Sequence, residues 1–159
     1  MKMQKQSFRP VETSVGLVKG RDALYLNWVQ QDVENNTIFL EMQISGQLAS
    51  SPPDPTKDYL FFVRFYGVLA YQMIELDSAY NMEKHSEEWT DDSDGSCFDE
   101  VVNSRWIMEL GGKVGSKHKH YTISAYDDVL DVVCERFEIS TYQRLVTGET
   151  LVRKDLPTG

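Results

Sequence analysis

Three groups of residues in this chain are of types that do chemistry. The first is the stretch MEKHSEEWTDDSDGSCFDE, residues 82–100. It sets Glu83, Glu87, Glu88, Asp91, Asp92, Asp94, Asp99 and Glu100 against Lys84 alone, with His85 neutral. Carboxylates at that density attract hard cations, and TDDSDG has the outline of an EF-hand loop. Placing Gly95 at the loop's glycine puts Asp94 and Asp92 at two ligand positions. The first ligand is then Thr90 and the last Val101, so the bidentate acid is missing and the EF-hand reading fails.

The second group is His118 and His120 in HKH. Side chains alternate along a strand, so the two imidazoles would share a face. Zinc needs three or four protein ligands, and no CxxC or third partner is at hand. The expectation is two exposed histidines beside Lys117 and Lys119, a small basic patch with no metal.

The third group is Cys97 and Cys134. Cys97 precedes an expected helix, whose dipole favours a thiolate, but the surrounding acids raise a thiol pKa. Cys134 reads as a small buried side chain. The chain has no GxSxG, P-loop, GxGxxG or HExxH. A dense run of acids is also the wrong setting for one raised and one ordinary carboxyl pKa. No catalytic residue, metal or cofactor is assigned, and the expectation is a protein that is not an enzyme.

The acids then make sense as a surface. The chain carries a formal charge of −9, of which residues 82–100 supply −7 and the rest −2. Such a chain repels nucleic-acid phosphates and anionic membranes, so neither is an expected partner. A basic protein is the favoured one. Trp89 sits among the acids as an aromatic anchor. The expected partner-binding set is Glu87, Glu88, Trp89, Asp91, Asp92 and Asp94. In the competing reading Trp89 folds back on the core and the acids face water.

A scaffold must hold these residues. At 159 residues, with 41% apolar and 11% aromatic content, the chain suits a single domain over 1–159 with frayed ends at about 1–6 and 154–159. The two cysteines and the lack of an apolar leader point to reduced thiols in the cytoplasm. The longest apolar run, residues 59–74, is broken by Arg64 and Gln72 and is short of a membrane span.

ALYLNWV and TIFLEMQIS alternate as strands do, with a turn at ENN between them. Ile38, Leu40, Met42 and Ile44 share one face. SSPPDP is a breaker. DYLFFVRFYGVLAYQMIEL reads as one bent strand or two, divided at Gly67. SCFDEVVNSRWIMELGG is the best helix candidate, with Ser96 as N-cap, Phe98, Val102, Trp106 and Leu110 as an apolar ridge and Gly111 as the stop. HYTISAY and VLDVVCERFEI form a hairpin bending at Asp127–Asp128, and YQRLVTGETLVRK turns at Thr147–Gly148. The expected class is α+β, a mainly antiparallel β-sheet with one principal helix packed on it.

The last third carries a resemblance. SRWIMELGG followed by HYTISAYDDVLDVVCERFEI resembles small bacterial proteins, several of them similar to immunity proteins encoded beside polymorphic toxins. The matching positions are Ser104, Arg105, Trp106, His120, Tyr121, Tyr126, Asp127, Asp128, Val133 and Phe137 to Ile139. The resemblance implies inhibition of a cognate toxin by contact, without cofactor or catalysis. The shared positions are scaffold in character, so they bring no binding residues with them.

The leading expectation is therefore a non-enzymatic protein-binding module, an immunity-type inhibitor that covers a basic partner surface with its acidic patch. The alternatives are a β fold binding a small apolar ligand among Tyr25, Trp28, Phe61, Phe65 and Tyr71, and a metal-dependent enzyme built on His118 and His120. A homodimer through an unprotected strand edge is also open.

Overall fold

The computed structural model describes residues 5–75, 96–112 and 114–143, except for the side chains of 141–143. Among them are nine strands and one short helix in two antiparallel sheets. The strands are β1 (Ser7–Pro10), β2 (Leu24–Asp32), β3 (Thr37–Ser45), β4 (Asp58–Tyr66), β5 (Ala70–Glu75), β6 (Phe98–Val102), β7 (Lys119–Ser124), β8 (Asp128–Cys134) and β9 (Arg136–Gln143). The helix is α1 (Arg105–Leu110). One sheet runs β1-β6-β7-β8-β5 and the other β2-β3-β4-β9.

The alternating pattern of β2 and β3 sets the four-stranded sheet. Asn36 takes a positive φ of 51° in the turn, as its short polar side chain allows. Ile38, Leu40, Met42 and Ile44 lie opposite Phe65, Val63, Phe61 and Tyr59 of β4, and all eight are buried. They meet Phe98, Tyr121, Ile123, Leu130, Val132 and Cys134 of the other sheet in a single core. Phe65, Phe98, Tyr121 and Phe137 form its aromatic centre, with ring centroids 4.8–6.5 Å apart.

The chain changes sheet at two neighbouring corners. At the first, Gly67 takes φ +61° in the short link between β4 and β5, which lie in different sheets. At the second, Glu135 separates β8 from β9, and its amide donates to the Tyr66 carbonyl at 2.9 Å. A methyl group on Gly67 would lie 2.6 Å from the Glu135 side chain. The aromatic run thus forms two strands of two sheets, and VLDVVCERFEI crosses between sheets. The expected hairpin is β7–β8, with Ser124 opposite Val129.

The expected helix is mostly strand. Phe98–Val102 pairs with β1 on one side and β7 on the other, and only Arg105–Leu110 is helical. Phe98 and Val102 fit a four-residue ridge, but they equally fit a strand face, and two waiting neighbours decide the matter. Ser104, not Ser96, caps the helix, accepting from the Ile107 amide. Ser96 is buried in a bridge to Lys19. Gly111 does end the helix, at φ 54°. Among the described residues the fold is thus mainly antiparallel β, with one short α-helix beside β7 and a 3-10 turn at Gly46–Leu48. The YQRLVTGETLVRK turn and most of the acidic stretch lie outside the described residues, as do the ends expected to be frayed, apart from Lys5 and Gln6. Gln6 is buried and accepts from the Arg105 amide at 3.0 Å.

Candidate functional site

Glu87, Glu88, Trp89, Asp91, Asp92 and Asp94 lie outside the described residues. Two acids of the same run are described, and neither belongs to a solvated patch. Glu100 pairs with Arg9 at 3.3 Å and with Lys119 at 3.5 Å. Asp99 is fully buried, and among the described residues neither carboxylate oxygen has a hydrogen-bond partner of good geometry, although the Ser96 hydroxyl acts on it. Burial pushes its carboxyl up to about 7. The reason lies in the strand: Phe98 and Asp99 face opposite sides of a sheet that is covered on both.

Both cysteines are buried, and burial pushes both thiols up to about 12, Asp99 adding to the rise at Cys97. Cys97 precedes a strand, so no helix dipole offsets that rise. The two histidines do not form a pair. His118 precedes β7 and accepts from the Gly115 amide at 2.9 Å. His120 is buried rather than exposed. The lysines beside them are drawn into local ion pairs, Lys117 with Glu135 at 2.8 Å and Lys119 with Glu100.

His120 belongs to a buried line of polar groups that its sequence neighbours do not reveal. Its Nδ1 lies 2.7 Å from Ser104 Oγ, and its Nε2 lies 2.7 Å from Asp131 Oδ1. A neutral imidazole donates at one ring nitrogen and accepts at the other, so His120 bridges the serine hydroxyl and the Asp131 carboxyl. Ser104 Oγ in turn accepts from the Ile107 amide at 3.2 Å. Gln72 reaches the other Asp131 oxygen at 3.5 Å, and Trp106 meets the imidazole edge-on.

Serine, histidine and carboxylate in that order form a proton relay of the kind that activates a nucleophile. Here the serine is 4% exposed and its oxygen also caps α1. The line therefore ties the helix cap to the centre of the sheet. A groove of about 420 Å³ passes beside it, lined in part by Val101, Ile107, Met108, His118 and Lys119.

A second concentration of recognition chemistry, mostly half-buried and with Phe62 buried, is on the face of the four-stranded sheet turned away from the core. Trp28, Phe39 and Phe62 pack there with centroids 5.3–6.0 Å apart. The Arg64 guanidinium lies over Phe39 at 4.9 Å and near Tyr66 at 5.9 Å, and Arg136 covers Tyr66 at 3.8 Å. Two adjoining grooves, of about 260 and 500 Å³, share Phe39, Arg64 and Tyr66. Strand alternation explains the arrangement: the inward set of β4 is Tyr59, Phe61, Val63 and Phe65, which turns Phe62, Arg64 and Tyr66 to the other face, where Phe62 is nonetheless buried.

The five residues expected to line an apolar pocket do not converge. Phe61 and Phe65 are packed in the core, while Trp28 is on the outer face. Tyr25 stacks on Tyr126, and Tyr71 donates to Gln31 at 2.8 Å. Among the described residues no group of three or more His, Cys, Asp and Glu side chains is placed to hold a metal. No helix among them is long and apolar enough to cross a membrane.

No protein-family model, curated protein or solved structure matches the chain. The geometry of the sandwich therefore has to carry the functional reading.

Proposed function

We propose that the chain is a non-enzymatic, cytoplasmic protein-binding module, an immunity-type inhibitor that neutralises a partner by covering it. The observation that supports this reading is the outer face of the four-stranded sheet. Trp, Tyr and Arg dominate binding hot spots because they offer large contact area together with a polar handle. Here Trp28, Arg64 and Tyr66 stand together on a rigid sheet around two grooves. The acidic stretch supplies the second element. Glu87, Glu88, Asp91, Asp92 and Asp94 steer the chain toward a basic protein, a cognate toxin domain, and Trp89 anchors it.

The test is direct binding to the C-terminal region of the protein encoded immediately upstream. The expected result is a complex whose affinity falls as salt rises and falls about tenfold or more when Phe39 and Tyr66 are both replaced by alanine. A complex indifferent to both salt and the double replacement would overturn the reading.

A further inference from the structure

Arg64 is the cation of the outer face whose donors are uncommitted. Its guanidinium hydrogen-bonds to and ion-pairs with no described residue, and its contacts are the rings of Phe39 and Tyr66. The nearby acids take their hydrogen bonds from other groups, and Arg64 acts on both only through its charge. Glu138 takes the Tyr66 hydroxyl at 2.9 Å and Arg136 at 2.8 Å. Asp32 takes the Asn35 amide at 3.2 Å and its side-chain nitrogen at 2.8 Å. These bonds hold both carboxyls below their ordinary range, so both stay charged. Arg136 is spent on Glu138 and Tyr66.

We propose that Arg64 is the floor of a carboxylate-accepting site that receives an Asp or Glu side chain of a partner protein. The residues flanking that side chain rest on Trp28 and Phe39. The inference rests on the protein-binding reading and names the chemistry of one contact within it. A guanidinium stacked on a ring turns its edges outward, and that fork matches a carboxylate in bidentate fashion. Arg64 is half-buried in the floor shared by the two grooves, where partial desolvation strengthens a charged contact.

Charge complementarity selects the occupant. A polyanion would meet Asp32 and Glu138 on either side of Arg64, and a chain of net charge −9 behind them. A single carboxylate brings one negative charge toward those acids and gains the guanidinium, whereas each further charge of a polyanion adds only repulsion. A basic protein with one acid at its contact surface therefore satisfies Arg64 and the acidic stretch together.

The experiment titrates the full chain with a capped pentapeptide, alanine-glutamate-phenylalanine-glutamate-alanine. Its glutamine counterpart and inorganic phosphate serve as comparisons. The readout is the NMR resonance of the Arg64 Nε–H, assigned by its loss in Arg64→Lys. The expected result is a saturable shift with the glutamate peptide, and binding about tenfold weaker with the glutamine peptide or in Arg64→Gln. Equal binding of the two peptides, a larger response to phosphate, or no shift at millimolar peptide would overturn the carboxylate site. Failure here is distinguishable from failure of the wider reading. An upstream-domain complex that is unchanged by Arg64→Gln keeps protein binding and removes the carboxylate.

Discussion

Asp99 and Ser104 show how single buried polar groups set the properties of this sandwich. Asp99 keeps its proton up to about pH 7 when folded and loses it near pH 4 when unfolded. Between those values the folded state holds a proton that the unfolded state has lost, so stability falls as pH rises and the penalty is complete above about pH 7. Denaturant unfolding should therefore show the protein less stable at pH 8 than at pH 5. Asp99→Asn should stabilise it at pH 8 by about 1–3 kcal/mol and flatten the profile. Destabilisation by asparagine at pH 8 would contradict this account.

Ser104→Ala removes a helix cap and the hydroxyl that bonds His120 Nδ1. The expected loss is about 2 kcal/mol, read by the same unfolding measurement. Only the hairpin beneath this line of polar groups was legible in the sequence, where His120 reads as an exposed histidine in a basic patch rather than the buried one it is. A hairpin bending at Asp127–Asp128 fixes its own register, which sets Thr122 opposite Asp131 and His120 on the same face. Ser104 was not legible, because a helix assumed to begin at Ser96 places it in mid-helix.

At the scale of elements, local alternation identified most strands, and tertiary pairing decided the rest. Ile38 to Ile44 declared their inward face without ambiguity, because every second residue is aliphatic. SCFDEVV did not, because its apolar spacing suits both periods and its strand partners, β1 and β7, are remote in sequence. The division into two sheets was hidden at Gly67 and Glu135, single residues that redirect the chain. Gly67→Ala should cost about 1–2 kcal/mol for its positive φ, beyond any clash with Glu135. Adding Glu135→Ala should relieve the clash and leave that backbone cost, a partition that a double-mutant unfolding cycle reads directly. Full recovery in the double variant would mean that φ carries no strain.

At the scale of the whole molecule, the two proposed surfaces differ in how they came to light. The acidic stretch is visible as composition, since eight acids crowd one segment. The outer sheet face is not, because Trp28, Phe39, Arg64 and Tyr66 come from three strands and are gathered only by the cross-strand register. Together they make up the proposed inhibitor, steered by charge and held by stacked rings around one arginine.

The most direct measurement is colony survival of a sensitive host expressing the C-terminal region of the protein encoded immediately upstream, with and without this chain. The account predicts that the region kills and the chain rescues. Rescue should be lost when Glu87, Glu88, Asp91, Asp92 and Asp94 are reversed in charge. A toxic region that the chain does not rescue, or rescue untouched by that reversal, would contradict it.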